Sequence, residues 1–134
     1  MRRLYFGHPI NAYDTELEKF LLIRVAATFP DWEIVNPNSP VHSAGYKAEK
    51  QLSGNGMHYF LERVVPTCQT GVFLPFREGR FGMGVWSEAS VLHQLNRPVW
   101  KISAQGILAP ILNLRNEPPP LSVEETRERI KFPY

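Results

Sequence analysis

The sequence predicts an α/β fold: a parallel sheet of four or five strands with helices on both faces. Three observations lead there. Short apolar runs at residues 4–6, 32–35, 70–76 and 98–102 alternate with longer stretches of helical character, and strands alternating with helices imply parallel pairing through right-handed crossovers. The run containing Val72, Phe73 and Leu74 is almost continuously apolar, as a central parallel strand covered on both faces requires. The length of 134 residues, 43% of them hydrophobic, suits one domain with a sizeable core.

The elements follow in order. Leu4, Tyr5 and Phe6 form the first buried strand, stopped by Gly7 and Pro9. Asp14 or Thr15 caps a helix reaching about Phe29, with Leu17, Phe20, Leu21 and Val25 at helical spacing. Pro30 and Asp31 end it. The second strand, 32–35, closes on the turn signal Asn36, Pro37, Asn38, Ser39, Pro40. Residues 41–56 are polar and contain Gly45, Gly54 and Gly56, which reads as a short helix and a mobile loop. Residues 57–65 read as a helix ended by Pro66. The third strand, 70–76, leads into a glycine-rich loop, 77–84, and a helix ending near Leu95. The fourth strand is 98–102. Residues 107–114 form a fifth strand or a docking segment, and Pro110 restricts it to an edge. Pro118, Pro119 and Pro120 make a stiff spacer, and Ser122 to Glu125 is a capping box opening a short charged helix. That helix has too little apolar surface to be core and belongs on the surface or against a neighbouring subunit. There is no internal repeat, so the reading is one domain, 1–134, with 116–134 as spacer and terminal helix.

Composition narrows the function classes. The net charge is only +2, and basic residues are scattered, the tightest group being Arg77 and Arg80. A nucleic-acid polymer needs clustered Lys and Arg, so none is expected as a partner, whereas a small anionic ligand is permitted. No apolar run approaches the roughly 20 residues that span a bilayer, and Gly7 and Pro9 cut the N-terminal apolar stretch too short for a signal peptide. The lone Cys68 excludes an internal disulfide and fits a reducing compartment. The expectation is a cytoplasmic protein without membrane association. The four histidines and Cys68 lack metal-ligand spacing, so no metal site is expected.

Glu88 is the residue that points to chemistry. At about 100° per residue, Val85, Ala89, Leu92 and Leu95 share an arc, and Glu88 falls inside it. The carboxylate therefore faces the sheet, from what reads as the helix's first turn. Burying an unpaired carboxylate costs several kcal/mol or raises its pKa, and helix N-terminal amides would offset part of that cost. A carboxylate beyond a strand's C-terminal end, beside a glycine-rich turn, lies where open α/β sheets bind ligands. Three loops converge there: Gly7, His8 and Pro9; Asn36 and Pro37; and 77–84.

These segments together resemble the nucleoside 2-deoxyribosyltransferase-like family, which includes nucleoside 5′-monophosphate N-glycosidases. Tyr5, Phe6, Gly7, His8 and Pro9 resemble its first strand; Val35, Asn36 and Pro37 resemble a second strand end. Gly84 to Ala89 resembles the glycine, three residues, glutamate motif, and Arg97, Pro98, Val99 the following strand entry. The likeness covers roughly residues 3 to 103 and implies a flavodoxin-like or Rossmann-like sheet. It implies cleavage or transfer of an N-glycosidic bond of a nucleoside or nucleoside 5′-monophosphate, with Glu88 as nucleophile, ionised with help from the helix amides and Tyr5. A covalent glycosyl-glutamate would follow, no cofactor or metal being needed, in a homodimer or higher homo-oligomer. Glu62 is the carboxylate standing one helix before the third strand, where the family often has an acid; Gln69 stands where Asp is common.

Each residue also has a plainer reading. Glu88 would favour the helix dipole or pair with Arg77 or Arg80. Tyr5 would be a core aromatic, His8 a loop residue, and Asn36 a cap for the Pro37 turn. Gly82 and Gly84 could present amides to a phosphate with Arg77 and Arg80 as counter-charges, or belong to a flexible crossover. Ser87 would bond a phosphate or cap the helix. A module that binds a nucleotide or nucleotide-sugar without turnover is the alternative function.

Overall fold

The computed structural model describes residues 2–134. Its sheet has five strands: β1 (Arg3–Gly7), β2 (Glu33–Val35), β3 (Thr70–Phe73), β4 (Val99–Ile102) and β5 (Leu108–Pro110). Their spatial order is β2-β1-β3-β4-β5. The first four are parallel, and β5 pairs antiparallel with β4 along the edge, the place Pro110 allows. This is the 2-1-3-4-5 order of flavodoxin-like sheets, whose order reverses between β1 and β3.

Alternation along the strands divides the core into two layers. Leu4, Phe6, Val72, Leu74 and Ile102 pack on one face, under Leu21 and Val25 of α1 (Glu16–Thr28). Tyr5, Phe73 and Val99 pack on the other, under Val85, Ala89 and Leu92 of α3 (Met83–Gln94). Thr15 caps α1, its hydroxyl accepting the Glu18 N–H.

The region 41–56 departs from expectation. It is one helix, α2 (Pro40–Ser53), capped by Ser39, with Pro40 in its first turn and Gly54 at φ 81° just past its end. Serine, proline, then a left-handed glycine are standard start and stop signals, and the polar composition between them describes an outer helix rather than a mobile loop. The next segment winds as a π-helical turn, Tyr59–Val64, and tightens into a 3-10 turn, Val65–Thr67, at Pro66. Strand β3 ends at Phe73, three residues early, because Pro75 has no N–H to continue the ladder.

The terminal helix, α4 (Val123–Arg129), has the expected capping box at Ser122 and Glu125 and buries none of its residues. It is nevertheless firmly tied down. The Leu121 N–H donates to the Phe81 carbonyl at 2.8 Å, and the Leu121 side chain is fully buried. Arg129 makes two bonds to the Glu78 carboxylate at 2.7 and 2.8 Å. No helix among the described residues is long and apolar enough to cross a membrane.

Candidate functional site

A cavity of about 360 Å3 opens beyond the C-terminal ends of β1 and β3. Its size lies at the small end of the roughly 300–1,000 Å3 of ligand sites. His8, Pro9, Ile10 and Tyr13 come from the β1 loop, and Pro37, Asn38 and Ser39 from the β2 turn. Ser43 and Tyr46 of α2 continue the wall, with Met57 and Phe60 beyond them; Phe76, Gly82, Gly84, Val85 and Glu88 line the α3 side, and Thr126 and Ile130 close the mouth.

Glu88 lies at the bottom of this cavity, only 6% exposed. The buried Tyr5 hydroxyl donates to Glu88 Oε2. Gly7 makes the approach possible: a Cβ there would stand 2.5 Å from Phe73 Cδ1 and 3.1 Å from Glu88 Oε1. The helix does not contribute as its sequence implied. It begins at Met83, which puts Glu88 in the second turn, beyond the first-turn amides and most of the dipole's reach. Tyr5 alone offsets burial, and the Glu88 carboxyl is pushed up to about 8 by desolvation. The expectation of a carboxylate held ionised by surrounding amides is therefore corrected: at neutral pH the free site keeps the proton on most molecules. The same burial raises the Tyr5 hydroxyl, with the neighbouring Glu88 charge adding to it.

The N-terminus of α3 is closed from a distance. Gly82, its N-cap, has no side chain to offer, and the Met83 N–H donates instead to Thr126 Oγ1 at 3.0 Å. Thr126 thus serves as a cap supplied from 43 residues away. Thr126→Val should cost about 0.5–2 kcal/mol, the usual worth of a cap, with Thr126→Ser restoring it. Urea unfolding measures both, and an unchanged midpoint in the valine variant would remove this role.

His8 is wholly enclosed. Its Nδ1 donates to the Phe6 carbonyl at 3.0 Å, and Nε2 lies 2.7 Å from Glu18 Oε2. Glu18 also accepts from the Asp14 N–H and the Asn38 amide. With Nδ1 committed to a carbonyl, one proton is shared between Nε2 and Oε2. Burial lowers the His8 pKa, and Glu18 opposes it. The pair anchors the β1 loop and orients Asn38.

Several expected site residues lie elsewhere. Arg77 is exposed; it donates to the Tyr134 carbonyl at 2.9 Å and stacks on the Tyr134 ring. Arg80 donates to the carbonyls of Pro119 and Pro120 at 2.9 and 3.1 Å. Neither lines the cavity, so neither is a phosphate counter-charge there: both hold the C-terminal segment. Asn36 caps its turn through the Asn38 N–H at 3.0 Å, and Ser87 donates back to the Met83 carbonyl at 2.8 Å. Glu62 is exposed and faces Glu49 and His58, the three sets of ligand atoms lying within 4.8 Å of one another. It does not line the cavity and cannot act on a sugar bound there. That three-residue cluster was invisible by spacing because Glu49 belongs to another helix; Arg63, 3.7 Å from Glu49, supplies it a cation.

Residues that sequence reasoning missed include Tyr13, Asn38, Tyr46, Phe60, Thr126 and Ile130. Only Asn38 carried a local signal, lying in the turn after β2. Compared with known proteins, the chain matches no family model and no curated protein sequence.

Proposed function

We propose that the protein cleaves or transfers an N-glycosidic bond of a nucleoside-like substrate through a covalent glycosyl ester on Glu88. One observation carries the reading: a tyrosine hydroxyl donates to a buried carboxylate at the bottom of an aromatic cavity, at the point where the strand order reverses. This arrangement suits a nucleophile. Tyr5 holds Oε2, and Oε1 takes no hydrogen bond from a protein side chain, so it is the oxygen left for attack. Attack at the anomeric carbon divides one hard displacement into two easier ones. The resemblance of Tyr5 to Pro9 and of Gly84 to Ala89 to the nucleoside 2-deoxyribosyltransferase-like family supports the same assignment, and a homodimer belongs to this proposal.

The test is direct detection of the ester. Acid-quenched protein incubated with nucleosides should gain the mass of one pentosyl unit on the peptide containing Glu88. Base release without that adduct in rapid-quench time points would point to direct attack by water. A second reading is a binding module, favoured by the absence of any other carboxylate in the cavity wall among the described residues. Calorimetric binding with no base released over hours would support it.

A further inference from the structure

The cavity's chemistry narrows the substrate. Departure of an ordinary base from a sugar leaves the base nitrogen with the bonding electron pair, and enzymes ease this by protonating the base. General acids contribute about 10²–10⁴-fold to such steps. Among the described residues, Glu88 is the only Asp or Glu that lines the cavity, and it is the nucleophile. Glu18 is occupied by His8 and Asn38, and Glu62 faces away. The His8 side chain is fully buried and both of its ring nitrogens are taken, by the Phe6 carbonyl and by Glu18, so neither is free to serve a leaving base. Tyr13 is raised above an ordinary phenol by burial, with the Glu88 charge adding, which makes it a worse acid still. With Glu88 spent as the nucleophile, the wall keeps no second carboxyl to protonate a leaving base.

Its charge balance points the same way. No Lys or Arg among the described residues lines the cavity. The ends of α2 and α3 that face it carry about half a unit of positive charge each, and the hydroxyls of Ser39 and Thr126 already accept amides there. A phosphate would bring −1.5 to −2 charges beside Glu88. Tyr13, Tyr46, Phe60 and Phe76 bring aromatic rings to the lining, beside Ile10, Met57 and Val85. Aromatic faces attract cations by about 0.5–2 kcal/mol each, and a buried carboxylate attracts them further.

We propose that the substrate is an N-glycoside whose base already carries a positive charge, such as a pyridinium or N-alkylated purine nucleoside, without a 5′-phosphate. The proposal rests on the glycosyl-ester reading above. In the reaction, a Glu88 oxygen bonds to C1′ as the C1′–N bond breaks. The electron pair passes to the ring nitrogen and cancels its positive charge, so the base leaves neutral and needs no proton. Water then attacks C1′ and displaces the Glu88 carboxylate. The water oxygen stays on the sugar, and one proton is released to solvent. The substrate cation also lowers the pKa of the carboxylate it approaches, so binding itself ionises the nucleophile.

The experiment compares nicotinamide riboside, its 5′-phosphate and inosine on the wild-type protein. Base release is measured as kcat/KM divided by each compound's spontaneous hydrolysis rate, and binding by calorimetry. The riboside should exceed inosine by about 10²-fold or more, and its own 5′-phosphate should bind and turn over less well. Its kcat should rise with pH on a single limb, with no falling limb from a general acid. Equal or better turnover of inosine or of the phosphate, or a bell-shaped profile, overturns the proposal. Release from none of the three, with the riboside still bound about tenfold more tightly than inosine, would sink glycosyl transfer and keep the charge preference. Equal binding would sink the preference too.

Discussion

Replacement of Glu88 by glutamine should abolish base release, by about 10³-fold or more in kcat/KM, while making the protein more stable above neutral pH. Both effects have one cause. The amide keeps the shape and can still accept the Tyr5 hydroxyl hydrogen, but it can neither attack a sugar nor ionise. The sign of the stability effect follows from the pKa. Glu88 titrates near 8 when folded, against an ordinary 4.5. Below about 4.5 both folded and unfolded chains are protonated and the site is neutral to stability. Between there and 8 the unfolded chain has lost the proton and the folded chain keeps it, so stability falls as pH rises. Each unit of the raised pKa corresponds to about 1.4 kcal/mol, and the full penalty is present above 8. The glutamine variant escapes it. Its melting temperature should match wild type near pH 4 and exceed it by on the order of 5–10 °C at pH 9. Thermal scans at the two pH values check this. An unchanged difference between them would show that Glu88 is not buried as described, and residual full activity would end the catalytic assignment.

Tyr5→Phe should have the next largest effect. The ring keeps its contacts with Phe60 and Phe73, but Glu88 loses the only side-chain donor that favours its charged form. A hydrogen bond to a charged group is worth about 1.5–3 kcal/mol, which is a loss of about 10- to 100-fold at neutral pH. The pH dependence identifies the mechanism. Wild-type kcat/KM should rise through about 8 as the free carboxyl ionises. The phenylalanine variant should rise at higher pH and recover part of its deficit there. A uniform loss at every pH would instead mean that Tyr5 only shapes the pocket, and an unaltered profile would remove it from the mechanism.

The inward turn of Glu88 was legible in the sequence because helical periodicity is local. Val85, Ala89 and Leu92 define the buried stripe whatever lies beneath it. The alternation in β1 and β3, the Thr15 cap and the capping box at Ser122 were legible for the same reason: each depends on neighbours a few residues away. The helix start was harder to place. Gly82, Met83 and Gly84 give no side-chain cap, and the partner of the Met83 N–H lies at Thr126. The expected first-turn position of Glu88, and with it the expected amide stabilisation, failed on that distant contact. Arg77 and Arg80 failed likewise: a loop arginine is available to a ligand only if nothing else claims it, and the carbonyls of Tyr134, Pro119 and Pro120 do so from 39 or more residues away.

By itself the sequence determined an α/β sheet, its strands and most of its helices, and an acid facing inward beside a glycine-rich turn. Tertiary structure alone decided the strand order, the aromatic rings gathered from Tyr13, Tyr46, Phe60 and Phe76, the terminal helix against the cavity, and the absence of Lys and Arg from its wall among the described residues. The physical reason is range. Propensity, periodicity and capping act over one or two turns of chain, whereas the charge and pKa of a site depend on every group packed around it, wherever those groups lie in the sequence.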